Sequence, residues 1–288
     1  MQKYTFEVIG THLFLSLDTS EDMTDLFRDI KTRLQDFEAK FSRFLEWNWL
    51  DDLNTSRRSF FDSDAKKMLS MMLDVAWKTD GYFDPTIGKR LTELWYGNST
   101  LGMKNTITNT WSGNYRDIEI IWDEVILHGD ILLEFGWVGK GYFIDILREM
   151  IAATWIGDKR YLINFWWDMY GMWAWKVGLE SPFVSDEAIG TIVLDSFSFA
   201  CSAGTRRKWW AHHHLIDPYT GESAREVVAS YIESDRASIA DMYATALCVM
   251  PWTLAITLLE KTPEISGVIV RHDGIVFQKK GSRAEIFT

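Results

Sequence analysis

The sequence predicts an α+β protein: one domain over 1–288 in which strands and helices intermix. Three observations predict it. Apolar residues recur with a period of two in some segments and a helical period in others, without the regular strand–helix–strand rhythm of a doubly wound sheet. Hydrophobic residues make up 47% and charged residues 25%, ordinary for a chain that buries a core and unlike a disordered one. No repeat, low-complexity tract or Pro/Gly/Ser-rich linker divides the 288 residues, and only 5 are Pro.

Each element follows from local pattern. Residues 3–18 read as two short strands, with Tyr4, Phe6 and Val8 alternating, then Leu13, Leu15 and Leu17. Ser20 is placed to cap a helix carrying Leu26, Ile30, Leu34, Phe37 and Phe41 on one face. A second helix is expected over 63–78, and a hairpin over 118–128 around Trp122-Asp123. The period is helical again over 140–153. Strands are expected at 161–164, 174–178 and 191–203. Helices are expected over 238–249, ending near Pro251, and over 252–261. A hairpin closes the chain, 267–270 with 275–278, around His272-Asp273-Gly274.

Charge and cysteine usage exclude several classes. With 30 Lys+Arg against 41 Asp+Glu, the net charge of −11 disfavours a nucleic-acid binder, whose affinity comes from cations on phosphates. No apolar run reaches the roughly 20 residues that span a bilayer. The first residues carry no apolar signal-peptide core, so a cytoplasmic location is expected as written, or export if a leader has been removed. Cys201 and Cys248 form no disulfide framework.

Four constellations could carry chemistry. In Ser238-Ile239-Ala240-Asp241-Met242-Tyr243-Ala244-Thr245, Asp241 and Thr245 lie four apart on one helix face. A carboxylate and a hydroxyl near a helix N-terminus suit a Mg²⁺ ion shared with phosphate oxygens. By spacing alone, a capping box of Ser238 with Asp241 has the better odds. His212-His213-His214 precedes Asp217-Pro218-Tyr219-Thr220-Gly221; in a strand His212 and His214 would share a face, as a base or phosphate contact rather than a zinc site. Gly136-Trp137-Val138-Gly139-Lys140-Gly141 opens a helix as a phosphate-binding loop does, but its spacing is not that of a Walker A motif. Gly81 to Gly88, with Asp84-Pro85-Thr86, reads as a tight turn.

Taken in order, these segments resemble the ApbE family of FAD:protein FMN transferases over nearly the whole chain. Ile9-Gly10-Thr11, Phe41-Ser42-Arg43-Phe44 with Leu53-Asn54, and Phe83-Asp84-Pro85-Thr86-Ile87-Gly88 with Leu94-Trp95 are similar to family motifs. So are Glu134 to Tyr142 with Asp145, Leu162-Ile163-Asn164 to Asp168, and Ser202-Ala203-Gly204. His214-Leu215-Ile216-Asp217-Pro218 and Ala240-Asp241-Met242-Tyr243-Ala244-Thr245-Ala246 complete the series. The resemblance implies an ApbE-like domain with a flavin cleft, and Mg²⁺-dependent transfer of FMN from FAD to a Thr hydroxyl of an acceptor protein, releasing AMP. It implies Asp241, Thr245 and a carbonyl near Gly139 as metal ligands. His214 would be the base acting beside Asp241. Asp84, Thr86, Lys140, Asp168, Ser202 and Gly204 would hold FAD. Alternatives are an FAD pyrophosphate hydrolase, with water in place of the Thr, and a flavin-binding protein without turnover.

The departures concern tryptophan, of which there are 15 beside 19 Gly. Trp137, Trp166, Trp167, Trp173 and Trp210 stand where the family pattern has glycine, whereas Trp95 and Trp175 suit it. Trp122 stands in a two-residue hairpin loop, a place for glycine on physical grounds alone. One cause fits all six: a source in which UGA encodes glycine, read under a code in which UGA encodes tryptophan. UGG codons at these positions would refute it. The expected consequence is a crowded flavin cleft and impaired transfer.

Overall fold

The structure is a computed structural model and describes residues 1–8, 11–94, 114–205, 207–209 and 212–287. Ile9, Gly10, Trp95 and Trp210, singled out above, lie outside the described residues. The chain opens with strands β1 (Gln2–Val8) and β2 (Thr11–Leu17), then helices α1 (Thr24–Phe41) and α2 (Trp49–Ser56). Strand β3 (Arg58–Phe60), helix α3 (Ser63–Lys78) and helix α4 (Gly88–Glu93) follow. Next come β4 (Ile118–Ile121), β5 (Glu124–Leu127) and α5 (Gly139–Ala152). Strands β6 (Tyr161–Phe165), β7 (Asp168–Met172), β8 (Trp175–Glu180), β9 (Ala188–Leu194) and β10 (Phe197–Ala203) form the middle of the chain. After the short β11 (Lys208–Trp209) and β12 (His212–His213) comes the long β13 (Val227–Ser234). Helices α6 (Ala237–Val249) and α7 (Trp252–Lys261) precede β14 (Ser266–Arg271), β15 (Val276–Gln278) and β16 (Glu285–Ile286).

The α+β expectation holds. An eight-stranded antiparallel sheet, in the order β1-β2-β6-β7-β10-β13-β14-β15, forms the spine. Alternation along its strands gives it two buried faces. On β14, Ile269 joins the larger core under the helices, while Val268 and Val270 join a second core containing Leu179, Ile192 and Leu194 of the small β16-β9-β8 sheet. The second core closes the sheet's far face.

Helix α1 presents Phe27, Ile30, Leu34, Phe37 and Phe41 to the larger core, close to the expected face. Its start differs. Helix α1 begins at Thr24 with Met23 at the N-cap and no side-chain cap bond, while Asp22 Oδ1 accepts the Thr24 N–H at 2.9 Å, so Ser20 is not its cap. The 191–203 segment is two strands, since Ser196 takes positive φ between β9 and β10. Helix α6 is buried almost all round and packs on β10, β13 and α5. Ser230 Oγ of β13 donates to the Ala244 carbonyl of α6 at 2.7 Å, tying helix to sheet.

Candidate active site

The site forms where α5 meets α6. Gly141 allows the meeting: a Cβ there would stand 2.8 Å from Asp241 Cβ and strike the Ala237 carbonyl. With the helices this close, the Gly141 N–H donates to Asp241 Oδ2 at 3.1 Å. The capping box is therefore not formed. Asp145 of α5 caps α6 from outside, accepting from Ala237 N at 2.8 Å, Ser238 N at 3.2 Å and Ser238 Oγ at 2.5 Å. This leaves Asp241 to face the first turn of α5 instead of its own helix end.

Lys140 bridges two carboxylates. Its Nζ bonds to Asp168 Oδ2, at the start of β7, and lies 3.4 Å from both Asp241 oxygens. Burial would lower the ammonium's pKa, but Asp168 and Asp241 outweigh it and hold Lys140 above its ordinary value. Burial, then the facing Asp241 carboxylate, pushes the Asp168 carboxyl well above the usual range. Asp168 is fully buried, and its Oδ1 makes no hydrogen bond. Thr245, one turn beyond Asp241, places Oγ1 3.4 Å from Ser202 Oγ on β10.

The histidine run is divided. Strand β12 holds only His212 and His213, so His212 and His214 do not share a strand face. His213 is structural: its ring Nε2 lies 2.8 Å from the Ala224 carbonyl and its N–H donates to Ser223 Oγ at 2.9 Å. His214 instead lines the cavities. Burial, reinforced by Arg207, His213 and Lys140, holds its imidazole well below the usual histidine range, so it is neutral near pH 7.

Two cavities meet here. The larger, about 320 Å³, is walled by Phe37, Phe41, Phe44 and Phe135 with Arg43 and Gly139. The smaller, about 70 Å³, is lined by Ser202, Thr205, Asp241, Thr245, Trp166 and Trp167. Lys140, Arg207, His214 and Trp137 line both. Lys140, Ser202, His214, Asp241 and Thr245 are thus brought together, with Asp168 behind Lys140. Asp84, Thr86 and Gly204 line neither cavity. Asp84 Oδ1 accepts from Thr86 N at 2.8 Å and Thr86 Oγ1 at 2.7 Å, fixing a buried turn. The Pro85 carbonyl of that turn accepts from Glu134 N at 2.8 Å, anchoring the loop before α5. Gly204 makes room for His213, whose Nε2 would lie 2.9 Å from an added Cβ.

Several lining residues were not among the expected site residues, Arg43, Glu134 and Arg207 among them. Glu134 Oε1 accepts from Gly136 N at 2.6 Å, and its Oε2 lies 3.1 Å from Arg43 Nη1, a pair buried at the rim of the larger cavity. Both residues sit in motifs quoted above, so a signal existed. Arg207 carried none.

The tryptophans are informative. Trp122, Trp166, Trp167 and Trp173 have φ of 56°, 53°, 78° and 64°. For a bulky residue this left-handed region is an outlier, and glycine enters it freely. Phe165 pairs with Asp168, so Trp166-Trp167 is a two-residue hairpin loop with both φ positive, the geometry of a type I′ turn. Trp47, not among the expected positions, has φ 62° and is 88% exposed. Trp137 is buried without positive φ, 5.9 Å ring to ring from Phe83.

Residues 8–269 match the ApbE family profile, so the chain belongs to the ApbE family. Similar curated proteins are each named FAD:protein FMN transferase. One from Rhodobacter capsulatus is 24% identical over 65% of this chain and 39% of its own length. One from Treponema pallidum is 20% identical over 85% of this chain and 76% of its own length. The chain thus spans well under half of the Rhodobacter relative. Solved folds agree closely. The ApbE protein of Thermotoga maritima superposes with a TM-score of 0.83 at 22% identity, covering 97% of each chain. The apo flavinyl transferase ApbE of Pseudomonas stutzeri gives 0.81 at 15% identity, covering 97% of this chain and 95% of its own. No helix among the described residues is long and apolar enough to cross a membrane.

Proposed function

We propose that the site is that of an FAD:protein FMN transferase. The observation that carries this reading is the convergence of Lys140, His214, Asp241 and Thr245, from three separate segments, on one pair of adjoining cavities. An acceptor Thr hydroxyl oxygen bonds to the FMN phosphorus of FAD. The bond from that phosphorus to the bridging oxygen breaks, and AMP leaves with the oxygen. Neutral His214 takes the hydroxyl proton, its low basicity being the cost of its burial. Lys140 offsets Asp168 and Asp241, so that a chain of net charge −11 presents a cation where the pyrophosphate lies.

The residues fit a magnesium ion. Asp241, Thr245 and the Gly139 carbonyl offer only hard oxygen donors, with Asp241 and Thr245 one turn apart on α6 and both lining the smaller cavity. Among the described residues no group of three or more His, Cys, Asp or Glu gathers to hold a metal ion. When bound, the ion neutralises charge on the phosphate oxygens.

The test is FMN transfer to a Thr-containing acceptor peptide, by this chain and by a version carrying glycine at 122, 137, 166, 167 and 173. The restored chain is expected to transfer, and this chain much less. Equal rates refute obstruction by the indoles. In the restored chain, Asp241→Asn should cut the rate at least about a hundredfold, as loss of an electrostatic catalytic group does. An unchanged rate refutes the site. AMP release without labelled peptide would mark a hydrolase.

A further inference from the structure

The tryptophans act on the site in two different ways. At 166 and 167 the indoles sit on a left-handed backbone. At 137 the backbone is ordinary and the issue is volume. Trp137 is 6% exposed and forms part of the wall of both cavities. The other residues common to both are Gly136, Lys140, Arg207 and His214. Of the five, only Trp137 presents a large apolar side chain. The seam between the chambers therefore carries two cations, Lys140 and Arg207, and the neutral His214 ring, with an indole set among them.

We infer that the two cavities are the two ends of a single cleft, and that the Trp137 side chain is the partition between them. This rests on the functional reading above and adds where the long ligand is stopped. A dinucleotide has a flat ring system at each end and a diphosphate between. The larger chamber, walled by four phenylalanines, suits one flat ring and is already formed at about 320 Å³. The basic seam suits the diphosphate. The smaller chamber, about 70 Å³, is too small for the second ring, and Trp166 and Trp167 contribute to its wall. With Trp137 in place, the larger chamber takes an isolated flavin ring but not a ligand that must pass the seam. Trp137 is thus a specificity-determining residue of this chain.

The experiment isolates Trp137 in a background carrying Trp166→Gly and Trp167→Gly. Binding of FAD and of riboflavin is measured by flavin fluorescence, with thermal melting to confirm folding. Adding Trp137→Gly is expected to tighten FAD at least about tenfold while riboflavin changes less than about threefold, a tenfold step being a large effect for one residue. Trp137→Ala should do the same, since the backbone at 137 does not require glycine. In both variants FAD should displace bound riboflavin, and in the background protein it should not. FAD affinity equal with and without Trp137 overturns the partition while leaving the flavin reading intact. Folded variants that all fail to bind FAD overturn both.

Discussion

The corner between α5 and α6 and the turns at 122, 166–167 and 173 obey opposite rules. At the corner, local and long-range choices agree. Gly141 stands where a Cβ would collide, Asp145 stands where helix α6 needs acceptors, and Lys140 stands between two buried carboxylates. At the turns, the backbone takes the form glycine favours and the sequence supplies the bulkiest residue available. Consistency across levels marks a sequence matched to its fold, and a local conflict without compensation calls for a cause. Among the described residues, five of the ten non-glycine residues with positive φ are tryptophan, the others being Arg57, Asp80, Ala174, Asp186 and Ser196. That supports the glycine-to-tryptophan reading over general divergence. It also extends the reading to Trp47, whose source codon should be UGA along with those at 122, 137, 166, 167 and 173. Trp49, Trp77, Trp175, Trp209 and Trp252, none with positive φ, should be UGG.

The strongest way to break the contrast is to disturb the corner. Gly141→Ala drives a methyl into the Ala237 carbonyl and Asp241 Cβ, and overpacking of this kind costs about 1–3 kcal/mol. Asp145→Ala removes an acceptor shared by three donors at the start of α6, a loss of about 2 kcal/mol for a helix cap. Urea denaturation should show both as clear drops in midpoint. An unchanged midpoint for either means the helices do not depend on this contact.

At the turns the sign reverses. Trp166→Gly with Trp167→Gly should raise stability, because each left-handed non-glycine residue costs roughly 1–2 kcal/mol. Part of the gain is offset, since Trp167 packs partly buried on the second core. Alanine at both positions keeps the strain and loses the packing, so it should not stabilise. If alanine and glycine behave alike, strain at the turn is not the governing factor.

Legibility in the sequence follows the same division. Helices α1, α3, α5, α6 and α7 and the first and last hairpins were readable because their apolar periods are intact. Strand β7 was not, because the turn before it lacks the glycine that punctuates a hairpin. Strand β13 carries Ser230 and Glu233 in a wholly buried run, which shows no alternation to detect. The capping box that spacing favoured for Ser238 and Asp241 does not form, since the acceptor for the first turn of α6 comes from Asp145 in another helix. Asp84 and Thr86 stand in a quoted motif yet build a turn beneath the loop and line neither cavity, a distinction that spacing does not carry.

A pH series probes the histidine segment. Burial is the first cause holding His213 below its ordinary value. A histidine with a lowered folded pKa favours the fold in its neutral form. Its contribution is complete above the unfolded value of about 6.5 and is lost as pH falls from there through the folded value. Melting temperature should therefore decline on acidification below about pH 6.5, and His213→Gln should flatten that decline. An equal slope in both proteins removes His213 from the account.

The smallest effect gives the cleanest sign test, because it compares one substitution in two backbones. Trp122 and Trp77 are both exposed, at 88% and 73%. Trp77 lies in the last turn of α3, and Trp122 lies at φ 56° between paired strands. Losing an exposed indole removes little packing in either place, so backbone preference decides. Trp77→Gly should cost about 0.5 kcal/mol, the difference in helix propensity between the two residues. Trp122→Gly should gain about 1 kcal/mol by relieving the left-handed residue. Opposite shifts in urea midpoint would show that glycine is preferred at 122 for its backbone and not merely tolerated. Shifts of the same sign would remove the physical ground for treating the tryptophan turns as displaced glycines, and would leave Trp137 to be explained by its volume alone.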